Sequence, residues 1–441
     1  MNDVQVLQIN LYEDPIGTLT LVQGDRSIFA FNESYLADED RATLSLSFKD
    51  EFGDIITQMR PTQTRLSPFF SNLLPEGHMR EYLAKRAGVK NMREFHLLWA
   101  LGADLPGAMV VTSMNDARWD VDEVGVGHED PGAVRAEKIM RFSLAGVQIK
   151  FSAIAEASGG LTIPVDGLGG SWIVKLPSSR FQGVPINEHA MMRLAACVGI
   201  EVPEHRLVDP GDIIGLPSEI EGLHETAFAI KRFDRTSEGG RIHVEDFAQV
   251  FGVYPREKYE KATYRSLAKV LWIETGAAGV AEFIRRLVFN TLIGNADMHL
   301  KNWSLIYLDR RKPSLSPAYD FVSTIAFLED EYAALKYAQQ RRMKAFGFDE
   351  LRLLAAKAGA PETLVVETAK ETIHRFHDVW LSEKDSLGLT DHMRRVIDVH
   401  YQGTALWAEV LRPSRTSSSR RANSANDLLH PRQDPQGTEA R

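Results

Sequence analysis

A single cysteine, Cys197, stands among 441 residues. One thiol cannot form an internal disulfide, so the fold must hold by burial and hydrogen bonding, and a reducing compartment is expected. Long apolar runs are missing as well. Those present are short and broken by charge, so no membrane-spanning helix is expected. The opening "MNDVQVLQIN" lacks a basic stretch followed by an apolar core, and no secretory signal is expected. Positive charge is not in excess: the formal net charge of −9 argues against a chain that coats nucleic acid by itself, and leaves room for a basic partner. There is no internal repeat. What remains, 44% apolar and 25% charged residues, is ordinary for a soluble globular protein of roughly two to four domains. A cytoplasmic location is the expectation.

Residues 1–112 read as a strand-rich first module. "VQVLQINLY", "IGTLTLV", "SIFAFN" and "ATLSLSF" alternate apolar and polar residues between Gly, Asp and Asn breaks, as half-buried strands do. In "SPFFSNLLPEGHMREYLAKRAGV", Pro75 and Glu76 open a helix that Gly88 closes, and "NMREFHLLWALGADLPGAMVV" supplies another helix, a turn and a strand. Residues 113–135 are polar, acidic and aperiodic, which predicts a linker. Within 136–243, "RFSLAGVQIKFSAIA", "SWIVKLPS", "HRLVD" and "ETAFAIKRFDR" read as strands and "NEHAMMRLAACVG" as a helix. From 244 to 411, apolar residues recur at three- and four-residue steps, and helices dominate. Residues 412–441 carry six arginines, three acids and almost no apolar residue, so a disordered tail is expected.

The most polar stretch, "GNADMHLKN" (294–302), directly follows the apolar "FIRRLVFNTLI". Its groups could cap a helix and a turn, or they could hold something charged. Phosphoryl transfer from ATP calls for a strand lysine on the α/β-phosphates and a helix acid that orients it. It also calls for a loop Asp at the substrate hydroxyl, an Asn five residues on, and a second Asp for Mg²⁺. Lys175 in "SWIVKLP" lies on the strand face opposite Trp172, Val174 and Leu176. Glu188 is on the next helix, Asp297 and Asn302 have the D-x-x-x-x-N spacing, and Asp320 follows the strand-like "WSLIYLD". Each residue alone has a plain reading as a solvated lysine, a first-turn acid or a cap. Their order, and the change from strands to helices, favour the joint one.

These motifs resemble those of the HipA-type serine/threonine kinase toxins of type II toxin–antitoxin modules, over about residues 1–411. "FSLAGVQIK" is similar to the family's S-x-x-G-x-Q-x-K phosphate loop, which implies ATP contacts from Ser143, Gly146, Gln148 and Lys150, and autophosphorylation at Ser143. "WIVKLP" resembles the strand bearing the ATP lysine. "AIKRFDR" resembles the hinge with its adjoining R-F-D-R, implying ATP-binding roles for Lys231, Phe233 and Asp234. "NADMHLKN" is similar to the catalytic loop and "YDFVS" to the metal-binding segment. "SNLLPEG" and "LPGAMVV" match the N-terminal module, and "VEDFAQVFG" matches a family signature whose role the residues alone do not reveal. The resemblance implies Asp297 and Lys301 at the transferred phosphoryl group, Asn302 and Asp320 as Mg²⁺ ligands, and Glu188 orienting Lys175. His299 reads first as a structural residue of the loop and second as an ATP contact; Lys301 has a solvated reading beside the catalytic one.

The expected fold is thus α+β, a two-lobe protein-kinase-like arrangement with a strand-rich N-lobe, an all-helical C-lobe and an additional N-terminal strand-rich module. The expected function is an ATP- and Mg²⁺-dependent serine/threonine protein kinase toxin. Its implied partners are a small helix-turn-helix antitoxin of HipB type, operator DNA through that antitoxin, and a translation-related target such as glutamyl-tRNA synthetase or another aminoacyl-tRNA synthetase. Two alternatives remain at this level: a small-molecule phosphotransferase, and a non-catalytic co-repressor bound to a DNA-binding antitoxin.

Overall fold

A computed structural model describes residues 6–86, 88–90, 93–114, 150–155, 160–163, 170–178, 180–216 and 225–411. Ser143, Gly146 and Gln148, nearly all of the expected linker, and the expected tail lie outside them.

Three sheets organise the molecule. The first joins β1 (Val6–Leu11), β2 (Asp14–Val22), β3 (Arg26–Phe31), β4 (Thr62–Gln63) and β5 (Met109–Ser113) in the order β4-β3-β2-β1-β5, all antiparallel. In β1 the alternation is realised residue by residue, with Leu7, Ile9 and Leu11 buried against Phe29, Phe70, Leu97 and Leu98. The β2–β3 turn needs left-handed backbone, which Gly24 (φ 78°) and Asp25 (φ 57°) supply.

"ATLSLSF" does not pair as the strand its alternation predicts. It runs as an extended segment into a 3₁₀ turn, Leu46–Phe48. Its polar groups serve the rest of the chain instead: Thr43 N–H donates to Arg310 O (2.8 Å), Thr43 Oγ1 to Arg311 O (2.8 Å), and Ser45 Oγ to Glu245. Tertiary contact has overridden the local pattern.

The second sheet holds β6 (Lys150–Ala155), β7 (Leu161–Thr162), β8 (Trp172–Lys175), β9 (His205–Val208), β10 (Ile213–Ile214) and β11 (Ala227–Lys231), in the order β10-β7-β6-β8-β11-β9. Trp172, Val174 and Leu176 fill a small core on one face, and the helix Val184–Val198 contacts β9 and β11.

Beyond residue 247 helices carry the main core: Tyr264–Ile293, Phe348–Ala358, Glu362–Glu383, Asp391–Gln402 and Ala405–Val410. The first is two helices meeting at Gly276, whose φ of 63° and ψ of −151° break the helical path. This lobe is not all-helical. It contains an antiparallel sheet of β12 (His243–Asp246), β13 (Ser304–Tyr307) and β14 (Ser314–Leu315). All four residues of β13 are buried, so it shows no alternation for a period-based reading to find.

The N-terminal module docks on this lobe through buried polar links. Glu245 on β12 accepts from Ser45, from Leu46 N–H (3.1 Å) and from Tyr307. His243 Nε2 meets Leu44 O at 2.7 Å, and Gln249 Nε2 donates to Phe69 O (3.1 Å). Asp246 caps the turn Phe247–Val250 in a reciprocal capping box with Gln249. The "VEDFAQVFG" stretch is therefore the seat of the N-terminal module.

Candidate active site

Lys175 ends β8 with its ammonium buried, 4% exposed. It donates both to Glu188, fully enclosed on the helix Val184–Val198, and to Asp320 Oδ1, with the Phe228 ring 5.5 Å below. Burial opposes the charge on Lys175, but Asp320 and Glu188 outweigh it and hold the ammonium protonated. Burial likewise opposes charge on Asp320, yet Lys150 and Lys175 keep its carboxyl well below the usual range. Lys150 faces Lys175 across the β6–β8 pairing, with Nζ 3.6 Å from Asp320 Oδ2.

Asp320 is held in left-handed backbone, φ 58°, which a non-glycine residue adopts at a cost. Neighbours fix it there. Asn187, beside Glu188, accepts from Ser323 N–H (2.8 Å), and Asn295 Nδ2 lies 3.4 Å from Asp320 O. The aspartate side chain is thereby aimed back at the lysine.

The loop 294–302 begins where Gly294 stops the long helix with φ 70°; a Cβ there would stand 2.3 Å from Ile325 Cδ1. Asn295 accepts from Asp297 N–H (3.0 Å) and donates to Asn290 (2.9 Å), while Thr324 Oγ1 accepts from Ala296 N–H (2.8 Å). Asn302 Nδ2 donates to Asp297 O at 2.8 Å, and Tyr264 OH to Met298 O at 3.0 Å. The backbone is thus gripped while the Asp297 side chain opens to solvent. The protein on its inner side pushes the carboxyl up, against the opposing pull of Tyr259 OH (2.7 Å from Oδ1) and Lys258.

Asn302 spends its amide N–H₂ on Asp297 O, which leaves Oδ1 as an oxygen donor. Among the described residues no group of three His, Cys, Asp or Glu side chains could hold a metal alone. An ion held jointly by one or two protein oxygens and phosphate suits this donor set, which fits Mg²⁺.

Other expected site residues have protein partners of their own. Asp234 is 7% exposed and fully engaged by Arg232, Arg235 and the Gly107 N–H (2.8 Å). Asp104 joins the same cluster at 3.0 Å from Arg232 and 2.9 Å from Arg235. Asp234 thus fastens this segment to the N-terminal module through the Gly107 N–H. Lys301 is tied to Asn72 O (2.8 Å), Asn72 Oδ1 (3.2 Å) and Asp246 (3.1 Å), with Glu76 at 3.7 Å. Lys231 directs its side chain to Glu204 (3.5 Å) at the sheet edge. Phe233 is half-buried, its ring 5.6 Å from that of Tyr319. His299 is buried, its Nδ1 has no partner among the described residues, and burial followed by Lys258 drives its pKa down to about 3.

Lys258, Tyr259, Asn295, Asn72 and Glu76 are parts of the site that spacing did not single out. The last two come from "SNLLPEG", a stretch visible in the sequence with no contact assigned to it.

Two family descriptions match the chain, the HipA N-terminal domain over residues 7–112 and the HipA-like C-terminal domain over 142–380. Over 414 residues the chain is 56% identical to Y4dM of Sinorhizobium fredii, a protein named as a candidate kinase, covering 93% of this chain and 99% of that one. The serine/threonine-protein kinase toxin HipA of Shewanella oneidensis is 27% identical over 294 residues, 59% of this chain and 64% of that protein. Among solved structures, the fold resembles a chain from the Shewanella oneidensis MR-1 complex of HipA, HipB and operator DNA. The TM-score is 0.69 at 21% identity, covering 92% of this chain and 97% of that one.

Proposed function

The chain belongs to the HipA family, and from that premise we propose that it is an ATP- and Mg²⁺-dependent serine/threonine protein kinase acting as the toxin of a type II toxin–antitoxin pair. What supports this reading is a pair of differently prepared groups linked electrostatically through Asp320, which acts on Asp297 as well as on Lys175. One, Lys175, is buried between Glu188 and Asp320. The other, Asp297, stands on a braced loop with its carboxylate outward.

In this reading Lys175, oriented by Glu188, takes the α/β-phosphate oxygens, and Lys150 adds a second positive charge beside Asp320. Asn302 and Asp320 would hold Mg²⁺, which when bound supplies charge neutralisation across the phosphate oxygens. Asp297 orients the acceptor hydroxyl and takes its proton. Phe233 and the backbone around Lys231 would face the adenine. Ser143, Gly146 and Gln148 would form the phosphate loop, with Ser143 as the autophosphorylation site. Lys301, tied to Asn72 and Asp246, would brace the loop, and the enclosed His299 would support the same loop.

A solved relative is a complex with HipB and operator DNA. By that analogy a small DNA-binding antitoxin is the proposed partner here; the proposed substrate, a translation-related protein such as an aminoacyl-tRNA synthetase, and the proposed cytoplasmic location rest on the kinase-toxin reading alone. Among the described residues no helix is long and apolar enough to cross a membrane. The test is growth of cells expressing wild type or Asp297→Ala, followed by phosphoproteomics. Arrest and new phosphosites only with wild type are expected; equal arrest by both would overturn the kinase explanation of toxicity.

A further inference from the structure

Asp297 has one side-chain hydrogen bond among the described residues, and it comes from outside the catalytic loop. Tyr259 OH donates to Oδ1 at 2.7 Å. The tyrosine is held on several sides. Its ring stands edge-on to His299, with centroids 4.9 Å apart and planes at 80°. Lys258 O lies 3.4 Å from Leu300 N–H, and Lys258 Nζ donates to Glu76 Oε2 at 2.9 Å. The Lys258 ammonium also lies 5.6 Å over the Tyr259 ring. A chain of contacts therefore runs from Glu76 in the N-terminal module, through Lys258 and Tyr259, to the carboxylate at the centre of the proposed chemistry.

We propose that Tyr259 is a positioning residue for phosphoryl transfer, fixing Asp297 by its Oδ1 so that Oδ2 is presented to the acceptor hydroxyl, with Glu76 setting the tyrosine's place through Lys258. The proposal rests on the kinase reading. In the step served, the acceptor oxygen forms a bond to the γ-phosphorus while the bond from that phosphorus to the β,γ-bridging oxygen breaks. The bond's electron pair leaves with ADP, and the hydroxyl proton passes to Asp297.

An exposed aspartate is free to rotate, and only some of its rotamers face the acceptor. A donor fixed to one oxygen removes that freedom and leaves the other oxygen's lone pairs available. Burial, then the neighbouring Asp297, raises the Tyr259 hydroxyl above its ordinary value, so the phenol stays a donor. The groups facing this carboxylate are Tyr259 and Lys258 from the preceding loop, Asp320 from the segment after β14, and Lys150 from β6. Of these only Tyr259 donates a hydrogen bond to it.

The experiment compares the full-length wild type with Tyr259→Phe, Glu76→Gln, Asp297→Asn and the Tyr259→Phe/Asp297→Asn double variant. ADP release and self-labelling are followed with γ-labelled ATP and Mg²⁺, with melting temperature as a check of folding. Tyr259→Phe is expected to lower kcat about tenfold to a hundredfold, the loss of one hydrogen bond to a charged group. Its KM for ATP and its melting temperature stay at wild-type values, and Glu76→Gln shows a smaller fall of the same kind. Added to Asp297→Asn, the phenylalanine costs little more, because the group it positioned is gone. Wild-type kcat in Tyr259→Phe overturns the proposal, as does an equal loss in the Asp297→Asn background. A wild type that binds ATP and releases no ADP overturns the kinase reading itself, and that result is visible before any substitution is made.

Discussion

Glu245→Gln tests how the N-terminal module is held. Glu245 is fully buried between modules, with Ser45, Leu46 and Tyr307 around it and no cation paired to it among the described residues. Burial raises its carboxyl from 4.5 to about 7, against the lowering by the bonds from Ser45, Tyr307 and Leu46. Because the folded-state value is raised, the folded chain keeps a proton that the unfolded chain has released between those two pH values. Stability therefore falls as pH rises through this window, by about 3 kcal/mol at about 1.4 kcal/mol per unit. Glutamine has the same shape and no charge. Its amide donates to Ser45 Oγ as the protonated acid does, and Ser45 can pass the bond on to Ser47 at 2.8 Å. Urea unfolding at pH 5 and pH 8 reads the effect. The two proteins should match at the lower pH, and the variant should be more stable by up to about 3 kcal/mol at the higher one. A variant with the wild-type pH dependence, or one less stable than wild type at pH 8, would refute the argument.

Other outcomes rest on the same contacts. ATP with Mg²⁺ should raise the melting temperature of the wild type, since a ligand bound only to the folded state stabilises it. Asp320→Ala should lose most of that shift, and an undiminished shift would remove Asp320 from the metal site. Asp104→Ala withdraws a carboxylate from Arg232 and Arg235, both mostly buried, and should cost on the order of 3 kcal/mol in unfolding measurements. A neutral result would show that Asp234 alone suffices for both guanidinium groups. Deletion after Leu411 removes a segment with almost no apolar residues and should leave the melting temperature and ATP binding unchanged. Aggregation of the shortened chain would place the domain end further on.

Much of the fold was legible because it depends on local periodicity. The alternation in "SWIVKLP" predicts that Lys175 faces away from Trp172, Val174 and Leu176, and in the structure those three are buried together while Lys175 reaches Glu188. Where the reading departed, distant contacts decided. Asp234 and Lys301 make contacts that the sequence did not foretell. Their partners are Gly107 and Asn72, 127 and 229 residues away, and no local pattern encodes those. "ATLSLSF" alternates like a strand, yet its polar side turns to Arg311 and Glu245 instead of a neighbouring strand. Tyr259 stands 38 residues before Asp297 with no spacing rule to join them. "SNLLPEG" and "VEDFAQVFG" could be seen but not interpreted, because each is one half of an interface.

The central claim is that Asp297 engages the hydroxyl to which phosphate is transferred. It is tested most directly by incubating the purified full-length protein with γ-labelled ATP and Mg²⁺, wild type beside Asp297→Asn. The substitution keeps the shape and the backbone bonds of the loop and removes the charge. Wild type should label itself on a peptide containing "FSLAGVQIK", and the variant should label at least about a hundredfold more slowly while binding ATP equally well. Equal labelling of the two proteins would contradict the account.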